Sequence, residues 1–506
     1  MGDMNRITLD FSRSKGTIAP ELYGHFAEHI GGVFYDGLWV GEDSKIANIG
    51  GFRKTLVESF RKIAPPILRW PGGCFAETYD WRDGIGPRGQ RPARVNWWYY
   101  CDVRYESNQV GTHEFMRLCR LVGAEPYVAA NMTSVPPLHI RNWMEYCNFP
   151  AGSTTLAKER EKNGDPDSFH VRYWGVGNEN WGGGQMSPER CAEEFIRFTT
   201  ICRPLSPLNL RFIICGANGH DLRWTRRLMK RWSDRAWQET PTWGVSVHYY
   251  TNAFSGHDEL SFDEAQWYDE LFRADYMRRI VDDHRFVMDE FDPERKLKLV
   301  VDEWGNWHVG GTGPSKGGNL FEQQSNMRDA VVAAMTLNIF NNRCDVVGMA
   351  NVAQLCNNLH SLYLAAGDQG DQFVETPNYY VFDLFRGHQG GRQVRACVTA
   401  AQREHQRYDP LDMLSASASV RDGVLTLTMV NLSLTEAATV TLASLSGGLK
   451  GKGRLRVLHH AEAATCNTFE NPYAVTPTED ALAVDEETVL TLPAASVAAL
   501  TVELER

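Results

Sequence analysis

Eight short apolar segments along residues 18–385 restrict the fold of this chain more than any other feature of its sequence. Each segment has the length of a β-strand, and nearly every one ends in His, Asn, Glu, Gln or Tyr. The stretches between the segments carry helical apolar spacing, as at residues 187–203 and 327–342. The segments cover residues 22–29, 66–70, 125–130, 172–179, 211–217, 243–250, 296–304 and 345–354.

Strands that alternate with helices predict a parallel sheet with helices packed on it. With eight strands we expect a closed (β/α)8 TIM barrel, and the alternative is a doubly wound open sheet. The polar strand ends favour the barrel, because the active sites of such barrels are built from the carboxyl ends of the strands.

The sequence beyond about residue 387 has a different pattern. Short alternating strands follow one another there, at residues 423–433, 438–445, 454–460 and 496–504. This pattern predicts an antiparallel β-sandwich of the jelly-roll type. A chain of 506 residues also exceeds what one hydrophobic core usually organises. We therefore expect a barrel domain at residues 18–385 and a sandwich domain at residues 386–506.

Charge and composition exclude several classes of partner. The formal net charge is −11, so a basic surface that would neutralise nucleic acid is not expected. No apolar run approaches the roughly 18 residues of a membrane span, and the N-terminal residues lack a signal-like apolar stretch. The eleven cysteines are scattered singly. We expect a cytoplasmic protein without a membrane partner.

Two glutamates are the candidate catalytic residues. Glu179 ends the fourth segment and Glu303 lies at the end of the seventh, so barrel closure would bring both to one rim. Carboxyl groups about 5 to 5.5 Å apart can carry out a double displacement at a sugar carbon. One must hold a proton as general acid while the other stays ionised as nucleophile. Arg69, at the end of the second segment, is the candidate cation that keeps the nucleophile ionised.

Other interpretations of these carboxylates stay open. A strand-end Glu often caps a helix or pairs with an arginine and has no catalytic role. Asp302 competes with Glu303 for the nucleophile role. Because successive strand side chains face opposite ways, we expect only one of the pair to point at the centre of the site.

Six longer segments of the sequence form distinctive motifs, in the order LYGHFAEHIGGVFYDGLWVG, LRWPGGCFAETYDWRDGIGPRGQRP, GTHEFMRLCR, WGVGNENWGGG, VDEWGNWH and NVAQLCNNL. Together these segments resemble those of glycoside hydrolase family 51, chiefly α-L-arabinofuranosidases. The resemblance implies a (β/α)8 barrel with a C-terminal β-sandwich that an N-terminal strand segment, here residues 1–17, also joins. It implies that Glu179 in GNE is the acid/base and Glu303 in DEW the nucleophile.

The resemblance also implies substrate-binding residues. Glu28 is similar to a carboxylate that holds furanose hydroxyls, and Asn178 to an amide that bonds the 2-hydroxyl. Gln354 matches an amide on the eighth strand that bonds a sugar hydroxyl. Tyr249 resembles the tyrosine that hydrogen-bonds the nucleophile, and Trp307 the indole that flanks the pocket.

Three further residues carry less definite expectations. Cys74 stands where many members of the family have Asn, and we expect it to line the deepest subsite. His248 is expected to support the carboxylates or to pack in the core. Trp98 is expected to line a leaving-group subsite or to pack in its wall. The sequence differs from the commonest versions of the family at residues 96–108 and 177–186, so the resemblance implies no leaving-group preference.

The leading hypothesis is a retaining, exo-acting α-L-arabinofuranosidase that acts on arabinofuranosyl oligosaccharides. Alternatives within the family are a galactofuranosidase and an endo-glucanase or xylanase, and outside enzymes a catalytically inactive sugar-binding protein. A metal-dependent hydrolase would need clustered histidines, and HxH and HExxH patterns are absent from the strand ends. We expect no metal and no cofactor. The resemblance implies a homo-oligomer, with a hexamer as the expected state.

Overall fold

The computed structural model describes residues 5–505 except residues 97–103, 203–204, 206–208, 236–240, 253–255, 257 and 367–370. In chain order its strands are β1 (Arg6–Asp10), β2 (Gly24–Phe26), β3 (Asn48–Ile49), β4 (Phe52–Arg53), β5 (Ile67–Trp70), β6 (Arg94–Asn96), β7 (Arg104–Glu106), β8 (Glu125–Ala130), β9 (Tyr173–Val176), β10 (Arg211–Asn218), β11 (Thr242–Thr251), β12 (Lys298–Asn306), β13 (Val347–Ala353), β14 (Tyr363–Ala366), β15 (Gln372–Glu375), β16 (Arg392–Thr399), β17 (Gln402–Arg403), β18 (Leu411–Asp412), β19 (Leu414–Arg421), β20 (Val424–Asn431), β21 (Ala438–Ser444), β22 (Gly451–Leu458), β23 (Thr478–Val484), β24 (Val489–Leu492) and β25 (Ser496–Leu504). Its α-helices are α1 (Lys54–Lys62), α2 (Thr112–Val122), α3 (Pro137–Asn148), α4 (Thr155–Lys162), α5 (Pro188–Thr200), α6 (Leu222–Ser233), α7 (Glu264–Asp289), α8 (Met327–Asn342) and α9 (Pro377–Phe385). Within these described ranges, no helix is long and apolar enough to cross a membrane.

Eight parallel strands close into a barrel in the order β2, β5, β8, β9, β10, β11, β12 and β13. Each of them overlaps one of the eight predicted segments, so the predicted (β/α)8 fold is confirmed and the open sheet is not formed. A small buried apolar cluster comes from the first halves of the barrel strands and leaves their carboxyl ends to polar side chains. It consists of Ile67, Tyr127, Tyr173, Ile213, Val300 and Met349.

The C-terminal part forms a nine-stranded sheet in the order β23, β22, β25, β20, β19, β16, β1, β21 and β24. Neighbouring strands are antiparallel except β1 and β21, which are parallel. Apolar residues from both edges of the sheet, such as Val484 in β23 and Leu490 in β24, share one core with Leu427 of β20. The sheet therefore folds over on itself, which is the sandwich predicted for this part of the chain.

Strand β1 lies inside this sheet and not at its edge. It pairs with β16 on one side and with β21 on the other, and its Ile7 and Leu9 are fully buried. These pairings support our proposal that the chain divides into a strand segment at residues 1–17, a barrel at residues 18–385 and a sandwich at residues 386–506.

Helix α8 lies between the barrel and the sandwich, and nearly all of its residues are buried. On the sandwich side, Ser417 and Thr428 donate hydrogen bonds to Asn338 Oδ1, each at 2.7 Å. Asn341 donates to Ser417 Oγ at 2.9 Å. Buried amides need such partners, so these hydrogen bonds fix the position of the sandwich against helix α8.

Candidate active site

The carboxyl ends of four barrel strands bring two acidic and two basic side chains together. Arg69 lies in β5, Glu179 three residues after β9, His248 in β11 and Glu303 in β12. Arg69, His248 and Glu303 are buried, whereas the side chain of Glu179 is 19% exposed. One carboxylate oxygen of Glu179, one of Glu303 and one ring nitrogen of His248 lie within 4.8 Å of one another. The two predicted catalytic glutamates therefore share one site.

Two donors hold the Glu303 carboxylate in place. Arg69 Nη1 donates to Glu303 Oε1 at 2.7 Å, and the Tyr250 hydroxyl donates to Oε2 at 2.9 Å. The backbone at Gly73 also approaches this carboxylate, since a Cβ atom there would lie 2.5 Å from Oε1. Burial raises the pKa of Glu303, and the charges of His248 and Arg69 offset that rise only in part.

His248 joins the acid/base candidate to a second carboxylate. Its Nδ1 lies 2.8 Å from Glu179 Oε1 and 3.5 Å from Glu303 Oε2, and its Nε2 lies 3.0 Å from Asp302 Oδ1. Burial lowers the pKa of His248, but Glu303, Asp302 and the two hydrogen bonds outweigh it and raise that pKa well above its usual value. The ring is therefore an imidazolium that donates from both nitrogens.

The protonation order of the two glutamates differs from the sequence expectation. Burial raises the pKa of Glu179, but the hydrogen bond and charge of His248 outweigh burial, and the net effect is a lowered pKa. The lowered pKa of Glu179 and the raised pKa of His248 favour a proton on His248 Nδ1 over one on Glu179. The sequence did not predict this order because it does not show that the His248 ring lies 2.8 Å from the Glu179 carboxylate.

Glu28 and Gln354 form a pair at the first and eighth barrel strands. The Gln354 amide donates to Glu28 Oε2 at 3.0 Å, and its own oxygen accepts from the Glu28 backbone N–H at 2.9 Å. Glu28 Oε1 accepts from the N–H groups of Gly73 and Phe75. Burial and the nearby Glu303 charge raise the pKa of Glu28 to about 7.

Asn178 and Cys74 complete the group around Glu179. Arg69 Nη2 donates to Asn178 Oδ1 at 2.6 Å, and the Asn178 amide points at Cys74 Sγ at 3.7 Å. The Cys74 thiol lies 3.3 Å from Glu179 Oε2. Burial and the Glu179 charge raise the pKa of Cys74, so this side chain is a neutral thiol and not a thiolate nucleophile.

Asp302 and Glu303 both reach the site, which differs from the expectation that only one would. The Tyr127 hydroxyl donates to Asp302 Oδ2 at 2.7 Å, and Arg69 Nε lies 3.8 Å from the same oxygen. The register between β12 and β13 shifts between Val301 and Trp304, and this irregularity interrupts the simple alternation of faces.

The predicted contact between Tyr249 and the nucleophile is wrong. The Tyr249 hydroxyl donates to the backbone oxygen of Arg273 in α7 at 2.8 Å, and the residue that bonds Glu303 is Tyr250. The physical reason is the two-residue repeat of β11. His248 points into the barrel, so Tyr250 does as well, and Tyr249 faces the helix outside.

Trp307, which the resemblance places at the flank of the pocket, contacts Tyr250, and Trp98 lies outside the described residues. The Trp307 ring packs edge-on against Tyr250 at 5.3 Å and against Phe321 at 4.6 Å. Because Tyr250 bonds Glu303, this aromatic contact makes Trp307 part of the wall near the reacting atoms.

Sequence reasoning missed two residues that touch the predicted ones. Tyr250 was detectable, because it lies two positions after His248 on the same strand. Glu77 was not, because it lies in the short 3₁₀ helix Cys74–Thr78 after β5 and not at a strand end. Its buried carboxylate accepts from the Asn178 N–H at 2.5 Å.

Among the residues that the structure describes, two groups of side chains bring potential metal ligands within 4.8 Å of one another. One is Glu179, His248 and Glu303, and the other is Glu270, His308 and Asp329. In both groups the histidine already bonds a carboxylate and has a raised pKa, which favours its protonated form over a metal-binding one.

A closed (β/α)8 barrel with paired glutamates at the ends of its fourth and seventh strands defines a glycoside hydrolase. Two family models match the chain, one described as "Alpha-L-arabinofuranosidase 1 domain" at residues 59–259 and the other as "Alpha-L-arabinofuranosidase C-terminal domain" at residues 302–496. The "Intracellular exo-alpha-L-arabinofuranosidase" of Bacteroides ovatus is 37% identical over 479 residues, which are 93% of this chain and 90% of that protein.

Solved structures agree with these matches. The crystal structure of a GH51 arabinofuranosidase from Xanthomonas axonopodis pv. citri has a TM-score of 0.91 and 35% identity, and covers 99% of this chain and 100% of its own. The arabinose complex of the Thermotoga maritima α-L-arabinofuranosidase has a TM-score of 0.86 and 28% identity, with 98% and 99% covered. The chain belongs to glycoside hydrolase family 51, the α-L-arabinofuranosidases, which confirms the resemblance stated for its sequence.

Proposed function

We propose that this arabinofuranosidase acts with retention, by a double displacement on Glu303. The observation that supports this most directly is the separation of the carboxylates, with oxygens of Glu179 and Glu303 no more than 4.8 Å apart. Inverting glycosidases hold their carboxyl groups about 6.5 to 9.5 Å apart, because a water must fit between sugar and base. The shorter separation favours direct attack by a carboxylate.

In the first step Glu303 attacks the anomeric carbon, and the bond to the leaving-group oxygen breaks as Glu179 protonates that oxygen. The proton comes from the His248 and Glu179 pair, since transfer along the 2.8 Å hydrogen bond leaves Glu179 protonated and His248 neutral. In the second step Glu179 takes a proton from water, whose oxygen attacks the same carbon and releases Glu303. Arg69 and Tyr250 orient Glu303 in both steps.

We propose exo action on terminal arabinofuranosyl units of oligosaccharides. Glu28, Gln354 and Asn178 present buried carboxylate and amide groups beside Glu303, which suits the hydroxyls of one terminal sugar. The Bacteroides ovatus relative carries "exo" and "intracellular" in its name, which supports exo action and a cytoplasmic location for this chain. The homo-oligomeric state stays a prediction.

The test is the kinetics of Glu179→Ala on 4-nitrophenyl α-L-arabinofuranoside. The activated leaving group needs little protonation, so we expect a burst of nitrophenol followed by slow turnover. Azide needs no deprotonation to attack the glycosyl-enzyme, so it should accelerate the slow turnover that follows the burst. Glu303→Ala is the comparison variant, and it should show neither burst nor turnover because the intermediate cannot form.

The first-formed sugar of the wild-type reaction, observed by NMR, should keep the anomeric configuration of the substrate. An inverted first product would refute double displacement. A Glu179→Ala enzyme that slows activated and natural substrates equally and ignores azide would refute the acid/base role. A panel with galactofuranoside and glucoside substrates separates the alternative activities of the family.

A further inference from the structure

The backbone that carries Glu179 is held in an unusual conformation. Glu179 has a φ of 43°, in the left-handed region that residues other than glycine rarely adopt, and Gly177 two positions earlier has a φ of 86°. A Cβ atom at position 177 would lie 2.2 Å from Asn180 Oδ1, so only glycine fits there. Such a backbone persists only when its surroundings fix it strongly.

A single buried carboxylate bonds the residues on both sides of Glu179. Glu77 Oε1 accepts from the Asn178 backbone N–H at 2.5 Å and from the Asn180 side-chain amide at 3.2 Å. Glu77 Oε2 accepts from the Met132 backbone N–H at 3.2 Å, at the end of β8. The glutamate thereby ties the turn that carries Glu179 to the neighbouring barrel strand.

Glu77 makes these contacts without a basic partner among the described ion pairs. Its side chain is only 4% exposed, and the groups that offset the cost of burial are hydrogen-bond donors on Thr133, Asn178, Met132 and Asn180. Burial raises the pKa of Glu77, and these donors offset that rise only in part. A buried carboxylate without a basic partner costs stability, so its place beside the predicted acid points to a role in the site.

We propose that Glu77 is a positioning residue for the acid/base Glu179. By bonding Asn178 and Asn180, it fixes the left-handed backbone between them and so sets where the Glu179 carboxyl meets the leaving-group oxygen. Glu77 does not touch the sugar or the nucleophile in this role. The inference rests on the proposed acid/base function of Glu179.

The chemistry of the contacts explains why this position needs a carboxylate. An ionised glutamate is an acceptor at both oxygens, and both are used by donors. In Glu77→Gln one oxygen becomes an NH2 group that faces either the Asn178 N–H or the Met132 N–H. A donor then meets a donor, and the turn around Glu179 must shift.

The experiment compares two aryl α-L-arabinofuranosides, one with a 2,4-dinitrophenyl and one with a phenyl leaving group. The poor phenyl leaving group needs protonation by Glu179, whereas the dinitrophenyl group does not. We expect Glu77→Gln to lower kcat/KM for the phenyl substrate at least tenfold more than for the dinitrophenyl substrate. Glu114→Gln is the matched control, since Glu114 is a buried glutamate at the start of α2 that pairs with Arg91.

A purely structural effect, as expected for Glu114→Gln, lowers both rates by the same factor. Equal losses in folded Glu77→Gln, while Glu179→Ala discriminates between the substrates, would overturn the inference. If Glu179→Ala itself did not discriminate between the two substrates, the acid/base assignment would fail instead, so the two failures are distinguishable.

If circular dichroism shows that Glu77→Gln does not fold, Glu77→Asp decides the question, because it keeps the carboxylate but shortens its reach. Discrimination in Glu77→Asp supports the inference, and equal losses overturn it.

Discussion

Glu28 offers a direct test of the charge balance in the site. Its pKa is raised to about 7 by burial and by the Glu303 charge, compared with 4.5 for an ordinary glutamate. The folded protein therefore binds this proton more tightly than the unfolded chain does. Stability contributed by the Glu28 proton is greatest at low pH and is lost as the pH rises from 4.5 to about 7.

The size of this effect follows from the two pKa values. Between pH 5 and pH 8 the linkage relation gives a loss of about 2.5 kcal/mol in the free energy of unfolding. Glu28→Gln has no ionisable group, so it lacks this loss. Whatever the substitution costs through altered hydrogen bonds is independent of pH and cancels when the two pH values are compared.

The assay is thermal unfolding of the wild-type enzyme and Glu28→Gln at pH 5 and pH 8, followed by tryptophan fluorescence. For a chain of this size the difference in Tm between the two proteins should change by about 2 °C from one pH to the other, with the wild type losing more. Glu58→Gln is the control, since Glu58 lies on the surface of α1 with a side chain 52% exposed. An equal pH response in the wild type and Glu28→Gln would refute the reasoning.

Two further substitutions test the geometry around Glu303. Gly73→Ala places a methyl group 2.5 Å from Glu303 Oε1, so we expect a displaced nucleophile and a roughly 100-fold lower kcat. The control Gly89→Ala, with no atom within 4 Å of its Cβ, should leave kcat unchanged. Similar rates for the two variants would contradict the close approach of Gly73 to Glu303. Tyr250→Phe removes a hydrogen bond to a charged group worth about 1.5 to 3 kcal/mol and should lower kcat about 10- to 100-fold, while Tyr249→Phe should keep the wild-type kcat. The reverse result would restore Tyr249 as the partner of the nucleophile.

Much of the barrel could be predicted because its signal is local. Strand length, apolar character and a polar last residue are properties of each segment alone, and each of the eight segments overlaps a barrel strand. The lengths were less predictable. Segment 22–29 contains a strand of only three residues, which ends at Phe26, and Glu28 beyond it accepts a hydrogen bond from Gln354.

The predictions that were wrong concern contacts between residues that lie far apart in the sequence. The partner of Glu303 follows from which face of β11 points inward, and the predicted tyrosine was one residue away from the correct one. Asp302 joins the site because β12 is irregular at its end, which no alternation rule foresees. The raised pKa of His248 depends on its distances to three carboxylates, and Glu77 bonds Asn178, Asn180 and Met132, which lie far from it in the sequence.

The place of β1 inside the C-terminal sheet has a consequence for how the protein is made. Its partner strand β16 begins at Arg392, so at ribosomal rates of about 5 to 20 residues per second β1 waits about 20 to 80 s for a partner. During that time both of its edges are unpaired, which is the state in which strands join other chains. The strand is only five residues long and carries Arg6 and Asp10 at its ends, and short length and terminal charge both discourage such pairing. The sandwich therefore cannot complete its folding until β16 and β21 have been made, and β1 reaches its final position long after it is synthesised.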